Sequence, residues 1–123
     1  MYYTISQTAK KTNLTPFTLR YYDKEGLLSP ARTEKGIRYF TDDDLARIDV
    51  VRCLKNAGMT IRDIKYFLTL CSLGENTIPE QLALFLRYRA KLSQDIQVLQ
   101  QHLTQIEEKI TWLQDYQATH PSR

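Results

Sequence analysis

The chain of 123 residues is 42% apolar and 25% charged, the balance of one folded domain or of a small domain with an appendage. No apolar run approaches the roughly 20 residues a membrane span needs, and the opening MYYTISQTAKK lacks the apolar core of a secretion signal, so no membrane partner and a cytoplasmic location are expected. Cys53 and Cys71 have no repeated spacing, which excludes a disulfide framework, and the net charge of +3 is uneven: residues 1–41 carry seven Lys/Arg against three Asp/Glu. A basic head on a near-neutral body suits a polyanionic partner, although a solvated basic face is an equally ordinary arrangement.

The first element is a short helix. Thr4 and Gln7 have the spacing of a capping box, and the helix they open runs to about Lys11. TNLTP interrupts it, and Thr15 followed by Pro16 reads as the cap and first turn of a second helix ending near Gly26. Two short helices on a tight polar turn make a helix-turn-helix candidate.

The second helix contains TLRYYDKEGLL, in which two adjacent tyrosines stand about 100° apart around the axis and cannot both face one core. Leu19 and Tyr22, with Glu25 and Gly26, are spaced to pack on the first helix; Thr18, Arg20 and Tyr21 project elsewhere. Thr15 and Thr18 at the helix start can meet phosphates, Arg20 a phosphate or a guanine edge, and Tyr21 a sugar–phosphate surface. An exposed tyrosine beside a surface arginine is the plain alternative.

LLSPARTEKGIRYF reads as a small β-hairpin turning at Gly36, with Arg32, Lys35, Arg38 and Tyr39 clustered on it. Such a turn reaches past the helix to neighbouring phosphates, which makes the arrangement winged. Thr41 with Asp44 caps a third helix ending at Gly58, Thr60 with Asp63 opens a fourth ending near Gly74, and Thr77 with Glu80 opens the last. On the third helix Leu45, Ile48, Val51 and Leu54 form one apolar face. Cys53 lies nearly opposite with Ala46, Val50 and Ala57, a second stripe that implies another helix packed there, and Arg52 and Lys55 beside it favour a thiolate. A cysteine used as a small hydrophobe is the competing account. Cys71 follows Ile61, Ile64 and Leu68 on the fourth helix and is expected in the core.

In the last helix, steps of three and four from Leu82 select ten residues ending at Leu113, and nine are apolar. Arg89 is the exception. This is a coiled-coil seam, with Leu92, Ile96, Leu99, Leu103, Ile106 and Ile110 expected to hold a homodimer. The domains expected are a head at 1–71 and a dimerisation helix at 77–118. The class is mainly α: a winged helix-turn-helix head with a β-hairpin wing, then a long coiled-coil helix. His102 and His120 are far apart and no cysteine follows Cys71, so neither a metal nor a cofactor is expected. With no glycine-rich phosphate loop and no paired nucleophile and base, an enzyme is the poorest reading. A coiled-coil scaffold indifferent to DNA has no need of a basic wing.

These linked motifs resemble the DNA-binding half of the MerR family of bacterial transcription regulators. LRYYDKEGLL stands where that family has an LRYYEREGLL-like recognition helix, GIRYF where it has a GYRYY-like wing, and LARIDVVRCLKNAGMTIRDI follows its L..I..L..LG.S...I pattern. The likeness covers residues 3 to 70, and the long helix extends it along the chain. It implies two-fold dimers with an antiparallel coiled coil and a winged head at each end. It implies binding to a pseudo-palindromic operator in double-stranded promoter DNA, which is bent and untwisted so that RNA polymerase engages both promoter elements. Thr18, Arg20 and Tyr21 map to the recognition helix, Arg38 and Tyr39 to the wing, and Leu19 and Tyr22 to the packing side. Ile37 replaces a frequent aromatic, so no stacking role follows there. RCLKNAGM is similar to the aldehyde- and electrophile-responsive branch, whose sensing cysteine falls at Cys53. The rival is an effector-independent architectural DNA-binding protein.

Overall fold

The computed structural model describes residues 1–121. Its first four helices begin where a threonine hydroxyl satisfies an orphan N–H group. In α1 (Ile5–Thr12) the capping box is reciprocal: the Gln7 N–H donates to Thr4 Oγ1 at 3.1 Å and the Thr4 N–H to Gln7 Oε1 at 2.9 Å. Asn13 ends the helix in the left-handed region, at φ 57°. In α2 (Pro16–Lys24) Thr15 is the cap and proline takes the first turn, where its missing N–H costs nothing. Thr41 and Asp44 cap α3 (Asp42–Asn56), whose three first-turn aspartates complement the helix dipole, and Thr60 caps α4 (Ile61–Leu73).

The wing is a two-stranded antiparallel hairpin, β1 (Ala31–Arg32) and β2 (Arg38–Tyr39), pairing Ala31 with Tyr39 and Arg32 with Arg38. Its turn closes through Gly36 N–H to the Thr33 carbonyl at 2.8 Å, with Gly36 at φ 82°, a conformation that favours glycine. The base of the wing is tied to the N-terminus. Tyr3 and Phe40 exchange two backbone hydrogen bonds of 2.8 Å, and the Tyr3 hydroxyl donates to Asp42 Oδ1 at 2.7 Å. That single-residue bridge has no periodic signature, so the sequence pattern did not announce it.

The core of these elements is formed by Leu19, Leu27, Phe40, Ile48, Val51 and Ile64, all fully buried. Each such side chain contributes about 1.5–3 kcal/mol. The faces expected for α2 and α3 are therefore the buried ones: Leu19 and Tyr22 on one, Ile48, Val51 and Leu54 on the other.

A single 3-10 turn, Glu75–Thr77, leads into α5 (Ile78–Thr119), 42 residues and roughly 63 Å long. Thr77 was expected to cap α5 over Glu80. Its buried hydroxyl instead lies 2.7 Å from the Leu70 carbonyl and 2.8 Å from that of Gly74, and accepts from Gln81 Nε2 at 3.0 Å. The carbonyls at the end of α4 need donors, and this hydroxyl is the buried one within reach.

The chain divides into two units, Met1–Gln81 and a second that begins at Leu82. In the second, Leu92, Ile96, Leu99, Leu103, Ile106 and Ile110 are 41% to 66% exposed. Near its end the rings of Trp112, Tyr116 and His120 stack along one edge, with centroids 5.4 and 4.0 Å apart. Among the described residues no helix is long and apolar enough to cross a membrane.

Candidate nucleic-acid interface

The adjacent tyrosines separate as their helical phases require. Tyr22 is buried and Tyr21 is 38% exposed, with Arg20 exposed beside it. Burial pushes the Tyr22 phenol above its ordinary pKa, with the nearby Arg52 charge working in the opposite direction. At the start of α2 the Thr18 N–H donates to Thr15 Oγ1 at 3.1 Å, and the two hydroxyls lie 3.0 Å apart. Thr15 and Thr18 thus hold each other at the helix terminus. Phe17, 77% exposed, shares the outward side with Arg20 and Tyr21 and was missed, although its phase relative to Leu19 would have found it.

Arg20 of α2 and Arg38 of β2 meet at one cleft of about 200 Å³, lined also by Thr4, Ile5, Gly36 and Ile37. The capping box consumes the N–H groups of Thr4 and Gln7, leaving those of Ile5 and Ser6 without a protein partner among the described residues. Two guanidinium groups beside a helix N-terminus form a concavity suited to an anion such as a phosphate.

The wing residues have distinct surroundings. Lys35 is exposed at the turn, and Tyr39 is half-buried with the Tyr2 ring against it edge-on at 5.2 Å. Arg32 and Arg38 both reach Asp23 near the end of α2: its Oδ2 accepts from Arg38 Nε at 2.7 Å and from Arg32 Nη2 at 3.0 Å. Asp23 is a residue that sequence reasoning missed, because the contact spans nine and fifteen positions and depends on how the wing returns.

Residues 3–70 match the model of the MerR HTH family regulatory protein, and residues 45–109 match that of the MerR DNA-binding region. The chain belongs to the MerR family. It is 40% identical over 119 residues to an HTH-type transcriptional regulator of Haemophilus influenzae, covering 96% of this chain and 88% of that one. It is similar to HiNmlR, a MerR family regulator lacking the sensor domain and solved bound to promoter DNA: 40% identity, 96% and 94% coverage, TM-score 0.75. A MerR family regulator from Bacillus thuringiensis is 42% identical over 90% of this chain and 98% of that one, with a TM-score of 0.72. The protein is a MerR-type DNA-binding transcription regulator, and its relatives are regulators rather than enzymes.

The two cysteines of this MerR-type head are both exposed. For Cys71 this corrects the expectation of a core position. Its helical phase is close to that of buried Ile64, but near the end of α4 a groove of about 570 Å³ opens toward α3, and Cys71 lines it with Ala46, Val50, Phe67 and Leu68. Cys53 stands outside the α3 core face with Ala46, Val50 and Ala57, all exposed. Arg52, expected to favour a thiolate there, is engaged elsewhere: one arm donates to the Thr12 carbonyl and the other pairs with Asp49 at 2.8 Å. Among the described residues no group of three His, Cys, Asp or Glu is placed to hold a metal ion.

Proposed function

We propose that this MerR-type regulator binds a pseudo-palindromic promoter operator as a homodimer in the bacterial cytoplasm and activates transcription by distorting the DNA for RNA polymerase. The observation that carries this reading is the cleft shared by Arg20 and Arg38 at the start of α1, a seat for DNA phosphate with the outward face of α2 beside it. Tyr21, Lys35 and Tyr39 extend that contact, and Thr15 and Thr18 fix the terminus from which α2 meets the backbone. The homodimer rests on the uncovered apolar seam of α5, since a lone helix in water does not keep six large apolar side chains exposed by preference. HiNmlR, solved on promoter DNA, supports the same use of this fold.

Cys53 is the proposed sensor of reactive aldehydes. Its thiol adds to the aldehyde carbon: an S–C bond forms, the carbonyl π bond breaks, and the thiol proton ends on oxygen. The added bulk lies on the stripe of Ala46, Val50 and Ala57, where a second helix is expected to pack, and packed interfaces answer bulk by repacking. A second reading, regulation without an effector, is favoured by HiNmlR being described as lacking a sensor domain.

The test is transcription in vitro from the protein's own promoter, with sedimentation in parallel. The expected result is a dimer that footprints both half-sites and raises transcription when an aldehyde is added. A monomer, or DNA binding without any change in transcription, would overturn the dimeric activator. Constitutive activation unaffected by aldehyde selects the effector-independent reading.

A further inference from the structure

We propose that Asp23 is the positioning residue of the DNA interface: it aims Arg38 at the backbone and withholds Arg32 from it. This rests on the reading of Arg38 as a DNA contact. Arg32 and Arg38 are directly paired across the hairpin. Two like charges facing each other destabilise a strand pair unless an anion lies between them. Asp23, its side chain only 18% exposed, is that anion, and a single oxygen serves both guanidinium groups.

The donors are spent unequally. A guanidinium has one N–H on Nε and two on each Nη. Arg32 uses Nη2 on Asp23 and Nη1 on the Gly36 carbonyl, at 3.3 Å, so both ends of its fork are engaged within the chain, although its side chain is 48% exposed. Arg38 uses only Nε, and its two Nη groups have no hydrogen-bond partner among the described residues. With Nε taken by Asp23, the Nη1/Nη2 edge is the one left to bind a phosphate bidentately. Arg38 lines the cleft it shares with Arg20, and a side chain already held by Asp23 loses less rotamer freedom when DNA arrives. Arg32 is a strut of the wing and Arg38 its phosphate ligand.

Operator affinity across a range of salt, measured on the full-length protein, tests this. Arg38→Ala and Asp23→Asn should each weaken binding by about tenfold, and the double variant should be little worse than either, because the aspartate acts through the arginine. Arg38→Ala should lower the salt slope by about one, and by more than Arg32→Ala does. Asp23→Glu should recover most of the loss. Arg38→Lys keeps a cation on Asp23 but has no second edge, so it should bind as poorly as Arg38→Ala; this variant keeps the ion pair and does not depend on the aspartate substitutions folding. Losses that multiply in the double variant, wild-type binding by Arg38→Lys, or tighter binding by Asp23→Asn would each overturn the positioning role. Wild-type affinity and salt slope for Arg38→Ala would instead remove Arg38 as a contact, a failure of the underlying reading.

Discussion

The unit Met1–Gln81 and the part of α5 beyond Leu82 are both helical, but they treat their apolar residues in opposite ways. The first closes a core, with Leu19, Phe40, Ile48 and Ile64 at 0% exposure, although single apolar side chains such as Phe17 stay outside it. In the second, Ile96 and Leu99 are at 66%, and the rest of the seam is little better covered. One unit closes its core within the chain. The other leaves its seam of alternating three- and four-residue steps uncovered, the surface that the proposed homodimer would bury.

The largest expected effect exploits that contrast. Leu99→Asp or Ile106→Asp would bury a charge at the seam and cost several kcal/mol of dimer stability. Sedimentation should find dissociation, while hydrogen exchange in α1 to α4 keeps its protection because the head core is untouched. Dimers that persist in both variants would remove the seam as the interface. Loss of protection in the head along with the dimer would show that the first unit does not close on its own.

The next effect lies within the head. Arg20→Ala and Arg38→Ala should each weaken operator binding by about 1–3 kcal/mol, with affinity falling steeply with salt as counterions are released. Neither arginine carries the core, so the melting temperature should stay near that of the unaltered protein. Gel-shift affinities equal to wild type for both variants would mean that the cleft at α1 is not where DNA lies.

A smaller effect sharpens the boundary of the first unit. Thr77→Val keeps the shape of the side chain but removes the donor serving the carbonyls of Leu70 and Gly74, and it takes the acceptor from Gln81. A cost of about 1–2 kcal/mol is expected, chiefly from the buried bond to Leu70, read as a lower denaturation midpoint. Unchanged stability would mean that the end of α4 is held by packing alone.

What was legible in the sequence was what repeats or caps. Thr4, Thr15, Thr41 and Thr60 each mark a helix start, and helical phase alone sorted Tyr21 from Tyr22. Gly36 marked the wing turn. The wing's arginines were named, but not that one aspartate pairs with both, because Asp23, Arg32 and Arg38 meet only once the wing folds back on α2. Phase also misled. Cys71 points as Ile64 does, yet periodicity gives a direction and says nothing of whether a neighbour is there to cover it; the groove beside α3 supplies that answer. Likewise Arg52 is adjacent to Cys53 in sequence, but its guanidinium is tied to Thr12 and Asp49.

The smallest expected effect on affinity separates the two thiols. Both are exposed, so accessibility does not decide between them. Their surroundings differ. Cys71 lines a groove of about 570 Å³, where an adduct has room and displaces little. Cys53 lies outside that groove, whose wall Ala46 and Val50 share with Cys71, so an adduct on Cys53 would press on the second helix proposed to pack there. Oxygen for sulfur is a small change in volume but removes the nucleophile. Cys53→Ser should therefore bind the operator as wild type does, within about 0.5 kcal/mol, yet lose the transcriptional response to aldehyde, whereas Cys71→Ser should keep both. The measurement is a reporter or run-off assay across aldehyde concentrations, with gel-shift affinities beside it. Full induction by Cys53→Ser would return that residue to the role of a small apolar filler, and loss of induction by Cys71→Ser alone would move the sensing site to the groove.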